Sequence, residues 1–183
     1  MTTPHLDPLA ALVDEWRHPA GLRERFVPGF DPLSGGVSAR VLVLMESPGP
    51  ATVAMGSSAI SSEDNPGPTA SAFRAARADS GLASEDYLRW NVIPWAIERK
   101  PTTDDLEEAR PALGQLFDAL PALRAIVTFG SPALTGVMRY FTLTENAGVL
   151  PVLAAPHPSP ANATRSGEKH LRAVVALRHA ARL

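Results

Sequence analysis

The chain has 183 residues, 45% of them hydrophobic and 20% charged, with a formal net charge of −2. That length fits one domain with a substantial core, and the composition is that of an ordinary globular protein. Cysteine is absent, which excludes disulfides, thiol nucleophiles, thiolate zinc sites and cysteine-ligated iron–sulfur clusters together.

Leu6 to His18 reads as a helix, because Leu9, Leu12, Val13 and Trp16 fall on one face. A second helical turn is expected from Gly21 to Phe26, then a Pro/Gly-rich loop from Val27 to Ser38. Ala39 to Met45 is a continuous apolar run without alternation, the pattern of a strand buried on both faces of a parallel sheet. Ser47 to Pro68 reads as a long loop, and loops of that length inside a compact domain are usually functional or disordered. A helix from Thr69 to Ser80, ended by Gly81, precedes a second strand from Leu88 to Ile93. Thr102 opens a long helix, with Asp105 three residues on as a short capping box and Pro111 as an expected kink. Its buried face is Leu106, Ala109, Leu113, Leu116, Phe117 and Leu120. Leu123 to Phe129 is a third strand closed by Gly130; a helix from Ser131 to Tyr140, a fourth strand from Val149 to Ala155 and a helix from Gly167 to Leu183 complete the chain.

Strands alternating with helices predict an α/β fold: a three-layer α/β/α sandwich with a central four-stranded parallel sheet. A single domain over residues 1–183 is expected, with 1–38 as an N-terminal helical extension packed on it. No apolar run approaches the ~20 residues of a membrane helix, and Met1 to Asp7 has neither the basic start nor the apolar stretch of a secretory signal. A cytoplasmic monomer is expected. The charge of −2 gives no global pull on nucleic acid, but Arg165, Lys169, Arg172, Arg178 and Arg182 against a single Glu168 make a basic tail.

Three of the strand-like runs end alike. Each leads into a segment with one functional polar side chain beside prolines: Glu46 in Met45-Glu46-Ser47-Pro48-Gly49-Pro50, Asn91 in Trp90-Asn91-Val92-Ile93-Pro94-Trp95, and His157 in His157-Pro158-Ser159-Pro160-Ala161-Asn162. In an open α/β sheet the loops leaving the carboxyl ends of the strands gather into one crevice, so these groups are expected to face one another. Taken alone, Glu46 reads as an exposed turn acid or as a carboxylate able to hold or deprotonate a water. Asn91 reads as an amide satisfied by neighbouring backbone or as a donor–acceptor pair matching a pyrimidine edge. His157 reads as a structural histidine or as a donor to charge developing on a leaving group. Trp90 and Trp95 are expected in the core or wall.

The three motifs, in this order on an α/β pattern, resemble the uracil-DNA glycosylase superfamily from about Val41 to the C-terminus. Met45-Glu46-Ser47-Pro48-Gly49 stands where that family has its first motif, Asn91 where an Asn ends a central strand, and His157-Pro158-Ser159-Pro160 where its second motif lies. Lys100-Pro101-Thr102 and Ala125 to Gly130 are similar to the bacterial branches with Glu in the first motif, although the chain lacks the iron–sulfur cysteines of those branches. The resemblance implies a monofunctional enzyme of base excision repair that flips uracil or a related deaminated base out of DNA and hydrolyses its glycosidic bond. It implies that Asn91 reads the base edge, His157 hydrogen-bonds the leaving base and Glu46 orients the water. Phe73 would stack on the base, and Ser47, Pro48, Gly49, Pro158 and Ser159 would contact the flanking phosphates. No cofactor and no metal are implied.

Two positions depart from the family. Ser47 stands where several branches place an acidic or amide catalytic residue, with Glu63 or Asp64 as candidates to supply the carboxylate. Ala161 stands where some members have a leucine that fills the gap left by the flipped base. Those departures leave open an alternative: a weak or inactive glycosylase-fold protein that binds damaged or single-stranded DNA. A third reading is an enzyme of free nucleosides or nucleotides. No lysine is evident beside the motifs for Schiff-base chemistry, so strand cleavage is not expected.

Overall fold

The computed structural model describes residues 4–159 and 166–183. Helix α1 (Asp7–Arg17) is followed by a short strand β1 (Gly29–Phe30) and by β2 (Val41–Met45), with no helix between residues 21 and 26. Residues 47–68 are not one long loop. They hold a turn of helix, α2 (Pro50–Val53), and a two-residue strand, β3 (Ile60–Ser61), which pairs parallel with β1. Then come α3 (Pro68–Ser80), β4 (Tyr87–Asn91), α4 (Thr103–Asp118), β5 (Ala125–Phe129), α5 (Ser131–Leu143), β6 (Val152–Ala155) and α6 (Ser166–Ala180). Helix α4 begins with the expected capping box between Thr102 and Asp105, and it runs across Pro111 as one helix.

The main sheet has four parallel strands in the order β4-β2-β5-β6. Val41 to Met45 pair with Tyr87 to Asn91 on one side, and Val41 to Leu44 with Ala125 to Thr128 on the other. Period-two alternation splits the apolar runs between two cores. Leu42, Leu44, Leu88, Trp90 and Ile126 pack with α1, α4 and α5 on one face. Val41, Val43, Met45, Val127 and Phe129 pack with α3 and α6 on the other. The three layers follow, since a strand apolar on both sides requires helices over both faces. The first helix belongs to this body: Trp16 Nε1 donates to Gln115 Oε1 of α4 at 2.7 Å. No described helix is long and apolar enough to cross a membrane.

The strand order matters for the site. The chain leaves β2 for β4 on one side and then crosses to β5 on the other, so loops diverge at the carboxyl end of β2. Such a divergence opens a crevice that ligands use.

Candidate active site

A crevice of about 630 Å³ lies at that end, and Glu46, Asn91 and His157 all line it. The first two segments are stapled together just beyond the strands, where Val92 N–H donates to Met45 O at 2.9 Å and Ile93 N–H to Glu46 O at 3.0 Å. The parallel ladder thus runs one step past β2 and β4 and sets the Glu46 and Asn91 side chains over the strand ends. His157 follows β6, two strands away from β2. Gly130, at the end of β5 between them, has φ 89° and passes so close that a Cβ there would stand 3.3 Å from His157 Cβ. The absent side chain lets the histidine loop lean across the end of β5 toward β2.

Glu46 is half-buried, and burial raises its pKa while the nearby Lys100 ammonium opposes the rise. Asn91 is 6% exposed. Its carboxamide lines the crevice and makes no side-chain hydrogen bond to the described residues, so the reading in which neighbouring backbone satisfies it is not what the structure contains. His157 is half-buried, and burial first, then the Arg89 and Lys169 cations, lower its pKa. The imidazole is therefore neutral at pH 7. Ser159 N–H donates to His157 Nδ1 at 3.2 Å, which makes Nδ1 the acceptor and leaves the proton on Nε2. A neutral imidazole with an Nε2–H donor is thus placed beside a carboxylate and an unpartnered amide.

The expected phosphate-contacting residues Ser47, Pro48, Gly49 and Ser159 line the crevice, whereas Pro158 is half-buried and not among the lining residues. Phe73 does not belong to this group. It is fully buried, edge-on to Phe129 at 5.6 Å and to Tyr87 at 5.9 Å, so it offers no ring face to a ligand. It sits on the inner face of α3, where it packs on the sheet. Neither acid expected to compensate for Ser47 lines the crevice. Glu63 is held by Arg77 through both carboxylate oxygens, at 2.7 to 3.0 Å, and Asp64 pairs with Arg74 at 3.0 Å. Ala161 lies outside the described residues. Of the basic tail, Lys169 Nζ reaches Ser159 O at 3.5 Å, while Arg178 is tied to Asp79 O on α3 at 2.8 Å and Arg165 lies outside the described residues.

Other lining residues escaped the sequence reading. Arg89, Asn65, Glu98 and Arg99 reach the crevice, and so does Lys100, whose ammonium lies near Glu46 although no lysine was expected beside the motifs. The one signal was Arg89 itself, a charge interrupting an apolar strand. Among the described residues no cluster of His, Asp or Glu is placed to hold a metal ion.

These features define a doubly wound α/β protein with a polar ligand crevice at the carboxyl ends of its parallel strands. The family model of the uracil DNA glycosylase superfamily matches residues 34–178. The chain belongs to that superfamily. No curated protein matches it. Among solved structures it is similar to one described as a "putative Uracil DNA glycosylase" from Methanosarcina acetivorans, at 17% identity and a TM-score of 0.45, covering 78% of this chain and 91% of that one.

Proposed function

We propose that this protein is a monofunctional DNA glycosylase that hydrolyses the N-glycosidic bond of uracil or a related deaminated base in DNA. The observation that supports this best is the meeting of three complementary groups in one crevice: the Glu46 carboxylate, the unpartnered Asn91 amide and the neutral His157 with its Nε2–H donor. In this reading the base is extruded from the duplex into the crevice, at an unstacking cost of a few kcal/mol that is least for a mispaired base. Asn91 pairs with its polar edge. The C–N bond breaks with its electron pair going to the base, and His157 Nε2–H donates to the base oxygen on which negative charge collects. Glu46 accepts a proton from water as the water oxygen bonds to the sugar carbon. The proton finally goes to the departed base, giving free base and an abasic site. Ser47, Pro48, Gly49 and Ser159, which line the crevice, hold the phosphates on either side, with Pro158 stiffening the chain before Ser159.

The test is a labelled duplex with one U·G pair, treated with the protein and then with alkali to cleave any abasic site. Alkali-dependent product from the wild type, reduced by roughly 100-fold or more in both Glu46→Gln and His157→Gln, is expected from the loss of an acid–base or oxyanion-type group. Salt-sensitive binding of the duplex without product would instead favour a protein that recognises the lesion and does not cut.

A further inference from the structure

Arg89 is the unexplained residue of the crevice. It lies two positions before Asn91 on β4, so both side chains project to the same face of the sheet, and it stands opposite the apolar Val43. Its guanidinium lies 5.7 Å from the centre of the Phe73 ring. Among the described residues only Nη1 has acceptors, Ser62 O at 3.2 Å and Ser61 Oγ at 3.4 Å. Nε is sealed from solvent with no partner. Among the described residues Arg89 forms no ion pair: of the two carboxylates whose charge it feels, Glu63 is held by Arg77 and Asp31 makes no ion pair with it. Burial lowers its pKa while the Glu63 and Asp31 charges oppose the fall without pairing with it, and a half-buried cation with no paired carboxylate is costly. A cost of that kind is sustained where a ligand supplies the missing charge.

The rest of the lining points the same way. It contains no Phe, Tyr or Trp among the described residues, so no aromatic ring face is offered to a base. Asn65 spends its amide protons on Ile60 O at 2.7 Å and Thr52 Oγ1 at 3.4 Å. His157 is neutral: its Nδ1 accepts from Ser159 N–H, and its Nε2–H is a donor that contributes no net charge. Of the other lining cations, Arg99 is held by Asp105 and Lys100 lies near Glu46, which leaves Arg89 as the cation on the sheet face that carries Asn91.

We propose that Arg89 is a further catalytic residue, whose guanidinium holds the negative charge the departing base acquires. The proposal rests on the excision reading above. The C–N bond breaks with both electrons going to the base, the guanidinium pairs with the resulting anion, and water supplies the hydroxyl on the sugar and the proton that later neutralises the base. No other reactant is needed. A charge-assisted hydrogen bond formed only as the bond breaks lowers the barrier, and it matters most for the poorest leaving group.

The experiment is single-turnover excision of uracil and of 5-fluorouracil, whose ring N–H is more acidic, from otherwise identical DNA by wild type, Arg89→Gln and Arg89→Lys, with thermal unfolding recorded for each. The expected loss in Arg89→Gln is on the order of 10- to 100-fold for uracil and clearly smaller for 5-fluorouracil. Arg89→Lys, which keeps the charge, should recover part of the uracil rate and carries the same comparison if Arg89→Gln does not fold. Equal losses on both substrates, or no loss, overturn the proposal and leave Arg89 a strut between β4 and the Ser61–Ser62 segment. If the wild type releases no base from either DNA, the excision reading fails separately. Free 5-fluorouracil is then titrated across the ionisation of its ring N–H: tighter binding of the anion by wild type than by Arg89→Gln keeps Arg89 as the anion-holding group, and equal binding overturns that as well.

Discussion

Gly130→Ala is the most direct test of how the crevice is assembled. At φ 89° and ψ 162° this residue occupies a backbone region open almost only to glycine, where another residue costs ~1–3 kcal/mol. For a chain of this size that corresponds to a fall in Tm of roughly 2–12 °C. The second effect is local. The new methyl would stand 3.3 Å from His157 Cβ, with the ring carbons at 3.7 and 3.8 Å, so the histidine loop has to give by a few tenths of an ångström or more. Displacing a reacting group by about 1 Å costs on the order of 100-fold in rate. Gly81→Ala provides the control, since Gly81 is also left-handed, at φ 79°, but a Cβ there meets nothing within 4 Å and the position lies at the far end of α3. Its expected cost is about 1 kcal/mol with no change in excision. Single-turnover excision and thermal unfolding are measured on both variants. If Gly130→Ala matches wild type in rate, or Gly81→Ala loses activity to the same degree, the placement of His157 by close approach to Gly130 is wrong.

Three further outcomes follow from the geometry. Because burial raises the Glu46 pKa and Lys100 opposes that rise, the excision rate should fall with decreasing pH through a value above the ordinary glutamate range; Lys100→Met should move this acid limb to higher pH, and a limb that stays put or moves down refutes the coupling. Glu63 and Arg77 form a largely buried pair with side-chain exposures of 8% and 19%, so Arg77→Met strands a carboxylate and should cost ~3–5 kcal/mol by denaturant unfolding, unlike the exposed Arg74→Met at under about 1 kcal/mol. The Arg99 guanidinium, followed by the Thr102 hydroxyl, holds the Asp105 carboxyl well below the usual range. Its contribution to stability is therefore full above the ordinary aspartate pKa and is lost as pH falls below it; Asp105→Asn should destabilise the protein at pH 7 by an amount that shrinks below about pH 4.

The sheet and the first tier of the site were readable from the chain itself. Val41 to Met45 and Ala125 to Phe129 are apolar without alternation, and a backbone run that is apolar on both sides can be satisfied only by strand partners with helices over both faces. A parallel sheet then delivers whatever follows its strands to one edge, which is why Glu46, Asn91 and His157 could be named together. The short pieces were less accessible. Strands β1 and β3 are two residues long, and their pairing joins Gly29 to Ile60 across a separation that no local pattern reports.

What only the tertiary structure decided is the chemical state of the site. Phe73 and Arg89 each sit on a face shared with crevice or core according to register alone, and packing of α3 against the sheet buries the ring and strands the guanidinium beside it. Glu63 loses its candidacy because Arg77, fourteen residues on, claims both its oxygens. His157 is neutral with its proton on Nε2 because burial, Arg89, Lys169 and the Ser159 N–H converge on one ring. Sequence periodicity is a local signal, and it specifies where a strand ends and which residue stands there. Charge, tautomer and accessibility depend on neighbours brought together from distant parts of the chain, and those neighbours are settled when the layers pack.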